Sequence, residues 1–211
     1  MPRTMTFVAL GDSLTVGFIP SRIATQPYSR FLKEMADDYL QDSIRLNTYK
    51  IRVINRGING DLTSGMLLRF NQDVIALKPD HVIILGGTND LGWGLPVDEV
   101  FSCIKKMYEK AVDNNVEPII CTVPSLLGWD DGIPPRLALN HLLQHFCREK
   151  NIICVDLFEA TCDSVTKRLR LEYSSDGLHF NALGYRKIAE TIFKEAVRRI
   201  LTYDFPLKTG S

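Results

Sequence analysis

With 25 basic and 25 acidic side chains in 211 residues, the chain shows no basic stripe for nucleic acid and no acidic tail for a disordered binding arm. Hydrophobic residues make up 45% of it, so one domain, residues 1–211, can bury a real core without metal or disulfide staples. The five cysteines are odd in number and form no CxxC pair, which argues against a complete disulfide set and against a redox or metal motif.

The chain opens on an apolar run at residues 6–10, too short for a signal-peptide core and with no cleavage site behind it. No stretch approaches the ~20 apolar residues that span a bilayer. The expectation is a soluble, reduced, cytoplasmic protein with no stable membrane insertion, although a chain trimmed of a signal peptide would read the same. Residues 28–40 then carry Phe31, Leu32, Met35, Tyr39 and Leu40 on one side of a helix. A second apolar run follows at 51–55. Leu67, Phe70, Val74 and Leu77 repeat at helical spacing until Pro79 stops them. The third run, 81–85, precedes an amphipathic helix at 97–112. The fourth, 118–123, precedes a helix through Leu139, Leu142, Leu143 and Phe146. The fifth, 152–157, leads toward a long helix at 182–201 with Asn181 as its N-cap. A polar tail, 204–211, is expected to fray. The five runs are rich in Val, Ile and Leu without clean alternation, as in strands buried on both faces. Cys121 and Cys154 fall inside such runs and read as small buried hydrophobes. Strands alternating with helices imply an α/β fold, a parallel sheet covered on both sides.

Ligands of such a sheet bind beyond the carboxyl ends of its strands. Four polar segments fall there. Ser13 follows the first strand, Asn59-Gly60-Asp61 the second, and Gly86-Gly87-Thr88-Asn89-Asp90 the third. Asp176-Gly177-Leu178-His179 follows the fifth. A serine hydroxyl is a weak nucleophile and needs a base within hydrogen-bond reach. His179 supplies one, and Asp176, three residues earlier, can orient its ring. A backbone carbonyl is the alternative orienting group. The Ser13 N–H, the Gly60 N–H and the Asn89 amide are candidate donors for a developing oxyanion. Gly60 suits that task if a side chain there would block backbone approach. Asp12 is read as a structural brace of the serine turn.

These blocks resemble the GDSL family of lipases and esterases, in its SGNH hydrolase branch. Gly11-Asp12-Ser13-Leu14 matches the first block and gives the nucleophile. Asn55-Arg56-Gly57-Ile58-Asn59-Gly60-Asp61 matches the second, with Gly60 as the oxyanion glycine; Gly57 lies in the same block but fits the spacing before Asp61 less well. Gly86-Gly87-Thr88-Asn89-Asp90 matches the third, with Asn89 as the oxyanion asparagine, and Asp176 to His179 match the last. The resemblance implies a flavodoxin-like three-layer αβα sandwich with a five-stranded parallel sheet, and ester or thioester hydrolysis with no metal and no cofactor. The expected partner is a small-molecule ester or thioester: a short-chain acyl ester, a lysophospholipid or an acyl thioester. A carbohydrate O-deacetylase using the same residues is the alternative, and a non-enzymatic flavodoxin-like binding module a remote one.

Other features read more simply. His141 and His145 lie four apart on a helix without the glutamate of a metalloprotease motif, so they belong to a solvated face. His81 begins a strand and packs there. Two loops, 91–96 and 125–135, mix tryptophan with aliphatic residues at the catalytic edge. They read equally as a substrate wall and as loop packing.

Overall fold

The computed structural model describes residues 3–42 and 49–203. Five parallel strands form the central sheet: β1 (Arg3–Gly11), β2 (Tyr49–Gly57), β3 (His81–Leu85), β4 (Glu117–Cys121) and β5 (Ile153–Val155), in the spatial order β2-β1-β3-β4-β5. That order is the flavodoxin-like one, whose reversal at β1 opens a crevice between β1 and β3. The predicted tail, 204–211, lies outside the described residues.

Strand side chains point alternately to the two faces. Phe7, Ala9, Ile83, Leu85, Ile119 and Cys121 enter one core, against α1 (Tyr28–Asp42) and α5 (Ala182–Ile192). Their neighbours Val8, Leu10, Val82, Ile84 and Ile120 enter the other, against α2 (Thr63–Asp73), α3 (Val97–Asp113) and α4 (Ile133–Lys150). Two apolar faces per strand are why the runs lack alternation in sequence. The edge strand β2 is the exception, with Lys50 and Arg52 exposed.

Several ends differ from expectation for local reasons. β4 stops before residue 123 because Asn140 of α4 takes over the backbone there, accepting from Val123 N–H at 2.7 Å and donating to its carbonyl at 2.9 Å. β5 stops at Val155 because Asp156 caps a short helix, Leu157–Thr161, by accepting from Glu159 N–H. The predicted 67–77 segment divides into α2 and a 3₁₀ turn, Ile75–Leu77, ended by Lys78 at φ +46°. The last helix starts where predicted, with the Asn181 side chain accepting from Gly184 N–H at 3.0 Å. It is interrupted, however, by a π-helical turn, Phe193–Val197, before Arg198–Tyr203. The wider turn keeps Ala196, Val197, Ile200 and Leu201 on the core side.

His81 stacks on Phe7 at 4.8 Å and faces Glu117. His141 and His145 are exposed, and His145 faces Glu149 at 3.4 Å. Cys121 is buried as expected, whereas Cys154 is partly exposed. Among the described residues no helix is long and apolar enough to cross a membrane.

Candidate active site

β1 ends at Gly11, and the chain turns at once into a short helix, Ser13–Val16. Asp12 sets that turn. Its Oδ1 accepts from Leu14 N–H at 2.9 Å, the N-cap bond that fixes the serine at the helix start. Asp12 is therefore the brace expected of it. Burial, opposed by the Leu14 N–H and reinforced by the charges of Asp90 and Asp61, pushes its carboxyl up to about 7.

Across the crevice, the loop before α5 brings His179 to Ser13. Nε2 lies 3.1 Å from Ser13 Oγ, and Nδ1 lies 2.8 Å from Asp176 Oδ2. Asp176 Oδ1 accepts from the N–H groups of His179 at 2.7 Å and Leu178 at 3.0 Å. Burial alone would raise this carboxyl. The ring and backbone donors outweigh it and hold Asp176 below the usual carboxylate range. An ionised carboxylate only accepts, so the proton of the imidazole sits on Nδ1. Nε2 is then the bare nitrogen that accepts from Ser13 Oγ–H. Phe18 meets the ring edge-on at 5.4 Å. Asp176, not a backbone carbonyl, is the partner of Nδ1.

The segments after β2 and β3, which carry the candidates Gly60 and Asn89, are tied to each other. Asn89 begins beyond β3 in a short helix, Thr88–Gly92, and its Nδ2 donates to the Asp61 carbonyl at 2.9 Å. One of its two amide hydrogens remains available. Thr63 donates to Asp90 through both N–H and hydroxyl, tying the same two loops together. The N–H groups of Ser13 and Gly60 make no hydrogen bond with another described residue. Gly57 is otherwise engaged: its N–H donates to Asn55 Oδ1 at 2.8 Å, and a Cβ there would stand 2.4 Å from Val16 N. At Gly60 itself φ is +73°, a backbone conformation that favours glycine, and a Cβ there would meet no described atom within 4 Å, so the space in front of this position is open.

Sequence reading passed over Arg69, whose guanidinium joins these parts. Nη2 donates to the Gly11 carbonyl at 3.0 Å, Nε to Asp61 Oδ2 at 2.8 Å, and Nη1 to Arg56 O and Asp73 Oδ2. One side chain thus holds the end of β1 against the loop after β2. Only its i,i+4 spacing to Asp73 is visible in sequence, and that looks like an ordinary helix-surface pair.

Beside the serine lies a cleft of about 370 Å³ lined by Asn89, Asp176 and Leu178 and by Trp93, Trp129 and Arg136. Trp93 is 80% exposed and Trp129 46%, so neither ring is absorbed in core packing. Both loops line the cleft, as the substrate-wall reading requires. Leu127 N–H donates to Gly177 O at 2.7 Å and couples the second loop to the Asp176–His179 turn. Among the described residues no group of three or more His, Cys, Asp or Glu side chains is placed to hold a metal ion.

A parallel α/β sheet with a serine, a histidine and a carboxylate in hydrogen-bond sequence at its carboxyl edge defines the serine hydrolase class. More closely, the chain belongs to the GDSL-like lipase/acylhydrolase family, whose model matches residues 9–187, and it is a serine ester hydrolase. The acetylxylan esterase of Geobacillus stearothermophilus is 27% identical over 158 residues, covering 69% of this chain and 72% of that protein. The N-acylneuraminate cytidylyltransferase of Streptococcus agalactiae serotype V is 26% identical over 155 residues, 72% of this chain but 37% of that longer protein. The crystal structure of the lipase/acylhydrolase from Enterococcus faecalis superimposes with a TM-score of 0.75 at 27% identity, covering 92% of this chain and 96% of that one.

Proposed function

We propose that Ser13, His179 and Asp176 form the catalytic triad of an esterase that acts through an acyl-enzyme on Ser13. The observation that carries this reading is the unbroken relay from Ser13 Oγ through the His179 ring to Asp176. Nε2 removes the hydroxyl proton as Oγ attacks the acyl carbonyl. The Ser13 and Gly60 N–H groups and the Asn89 amide receive the negative charge on the carbonyl oxygen. The imidazolium, stabilised by Asp176, then protonates the departing alcohol or thiol. Water then attacks the acyl carbonyl while giving a proton to Nε2; as the bond to Ser13 Oγ breaks, the imidazolium returns a proton to Oγ and the acid leaves. The scheme calls on no cofactor and no metal.

The substrates proposed are short-chain acyl esters, lysophospholipids or acyl thioesters, handled by a single domain spanning residues 1–211. The five free cysteines support a reducing, cytoplasmic location. A carbohydrate O-deacetylase is the second reading. It is favoured by the acetylxylan esterase similarity and by two exposed tryptophans in the cleft, since such rings stack sugars. The triad assignment is tested with a fluorophosphonate probe followed by peptide mass spectrometry. The label should sit on Ser13; a label elsewhere, or none, contradicts it. A panel of nitrophenyl esters of rising chain length, run beside acetylated xylo-oligosaccharides, separates the two substrate readings.

A further inference from the structure

Among the described residues Arg136 is the largest fully buried side chain, 1% exposed, yet it lines the cleft beside the triad. It occupies the first turn of α4, where the helix dipole is positive and a cation is disfavoured. Its Nη1 donates to the Gly132 carbonyl of the same segment at 2.8 Å. Its Nε has no partner, and it forms no ion pair with a described carboxylate. Burial lowers its pKa to about 10, opposed only by the charge of Asp12. Asp12 is no contact partner, because its own Oδ2 is also buried and unpaired. A desolvated guanidinium without a counter-ion is costly to keep. Only the through-space charge of Asp12 and the single bond to Gly132 offset that cost.

Nε and Nη2 form one edge of the guanidinium, and neither bonds to a described residue. That edge carries two parallel N–H donors, the geometry that matches the two oxygens of a carboxylate; Nε is sealed from solvent, so a carboxylate must displace the covering side chains to reach both. The cleft wall is largely apolar and aromatic, through Leu126, Leu127, Trp93 and Trp129, with the Asp176 carboxylate as its other charged group and with both tryptophans open to solvent.

We propose that Arg136 is a specificity-determining residue that receives a carboxylate borne by the ester substrate, in the cleft next to Ser13. The inference rests on the esterase reading above and narrows it: the preferred substrates are esters with a second, anionic group. The carboxylate can belong to the acyl part or to the alcohol part, and the cleft serves either source.

Two matched pairs test it. The acyl-side pair is 4-nitrophenyl hydrogen glutarate against 4-nitrophenyl pentanoate. The alcohol-side pair is acetoxyacetate against acetoxyacetamide. In the wild-type enzyme the charged member of one pair should have the higher kcat/KM, and which pair responds identifies the source. Arg136→Gln should lower that charged-to-neutral ratio by roughly 10–100-fold, the worth of one charge-assisted contact. Arg136→Lys, which keeps the charge but loses the two-donor edge, should fall between. A ratio unaltered by Arg136→Gln would show a structural arginine and overturn the proposal. So would a wild-type enzyme that prefers the neutral member of both pairs, a measurement that holds even if the variants do not fold. Turnover of neither charged nor neutral esters would instead overturn the esterase reading itself.

Discussion

Replacing Asp12 with asparagine should change how stability depends on pH while leaving the serine turn in place. Asp12 is 1% exposed, with one oxygen bonded to Leu14 N–H and the other unpartnered. Its carboxyl rises from 3.8 to about 7 in the folded protein. The folded state therefore holds a proton that the unfolded state has released, throughout the window between those values. Stability carried by that proton is present below about 4 and is lost as pH rises through about 7. At about 1.36 kcal/mol per pH unit, the full span corresponds to at most about 4 kcal/mol. Asparagine keeps an oxygen for Leu14 N–H and removes the titration. Urea unfolding of both proteins at pH 5 and pH 8.5 isolates the effect, because every other group titrates alike in the two. About two pH units of that window lie above pH 5, so the wild type should lose stability from pH 5 to pH 8.5 by up to about 3 kcal/mol more than Asp12→Asn does. Parallel losses would mean that Asp12 titrates normally and that its burial is relieved by something else.

Other substitutions address the parts around the serine. Asn89→Ala should lower kcat by roughly 10²–10³ with little change in KM, as for removal of one oxyanion donor; a raised KM with unchanged kcat would make Asn89 a substrate-binding residue. Gly60→Ala should strain the backbone by roughly 1–2 kcal/mol without a collision, whereas Gly57→Ala drives a Cβ to 2.4 Å from Val16 N. Gly57→Ala should therefore show the lower urea midpoint, and equal midpoints would refute the distinction. Arg69→Met should reduce kcat by up to roughly 10²-fold through misplacement of the serine and oxyanion loops. Because Arg69 is a positioning residue, KM should stay nearly constant; a rise in KM alone would place it at the substrate instead.

What could be read from sequence was what is local. The Asp176–His179 pair is three residues apart, and the Asp12–Leu14 bond two, so both follow from turn chemistry. The five runs were legible as strands because each carries apolar residues to two cores at once, Phe7 and Ala9 to one and Val8 and Leu10 to the other. The contacts that complete the site are long-range. Asn89 meets Asp61 across 28 residues, and Arg69 meets Gly11 across 58. No periodicity announces either. Arg136 is hidden for a further reason: in sequence it is a charged residue after two prolines at a helix start, and nothing in the spacing announces its burial. The sheet order and the π-helical turn in the last helix likewise depend on packing between distant elements rather than on residue spacing.

The central claim is that Ser13 and His179 act as one unit, and a double-mutant cycle on ester hydrolysis tests it most directly. Measure kcat/KM for wild type, Ser13→Ala, His179→Ala and the double variant, with circular dichroism to confirm that each is folded. Each single substitution should remove a factor on the order of 10⁴–10⁶, and the double variant should be scarcely worse than either, because residues that share one proton transfer are non-additive. Losses that multiply cleanly, or a Ser13→Ala enzyme that retains wild-type turnover, would contradict the account.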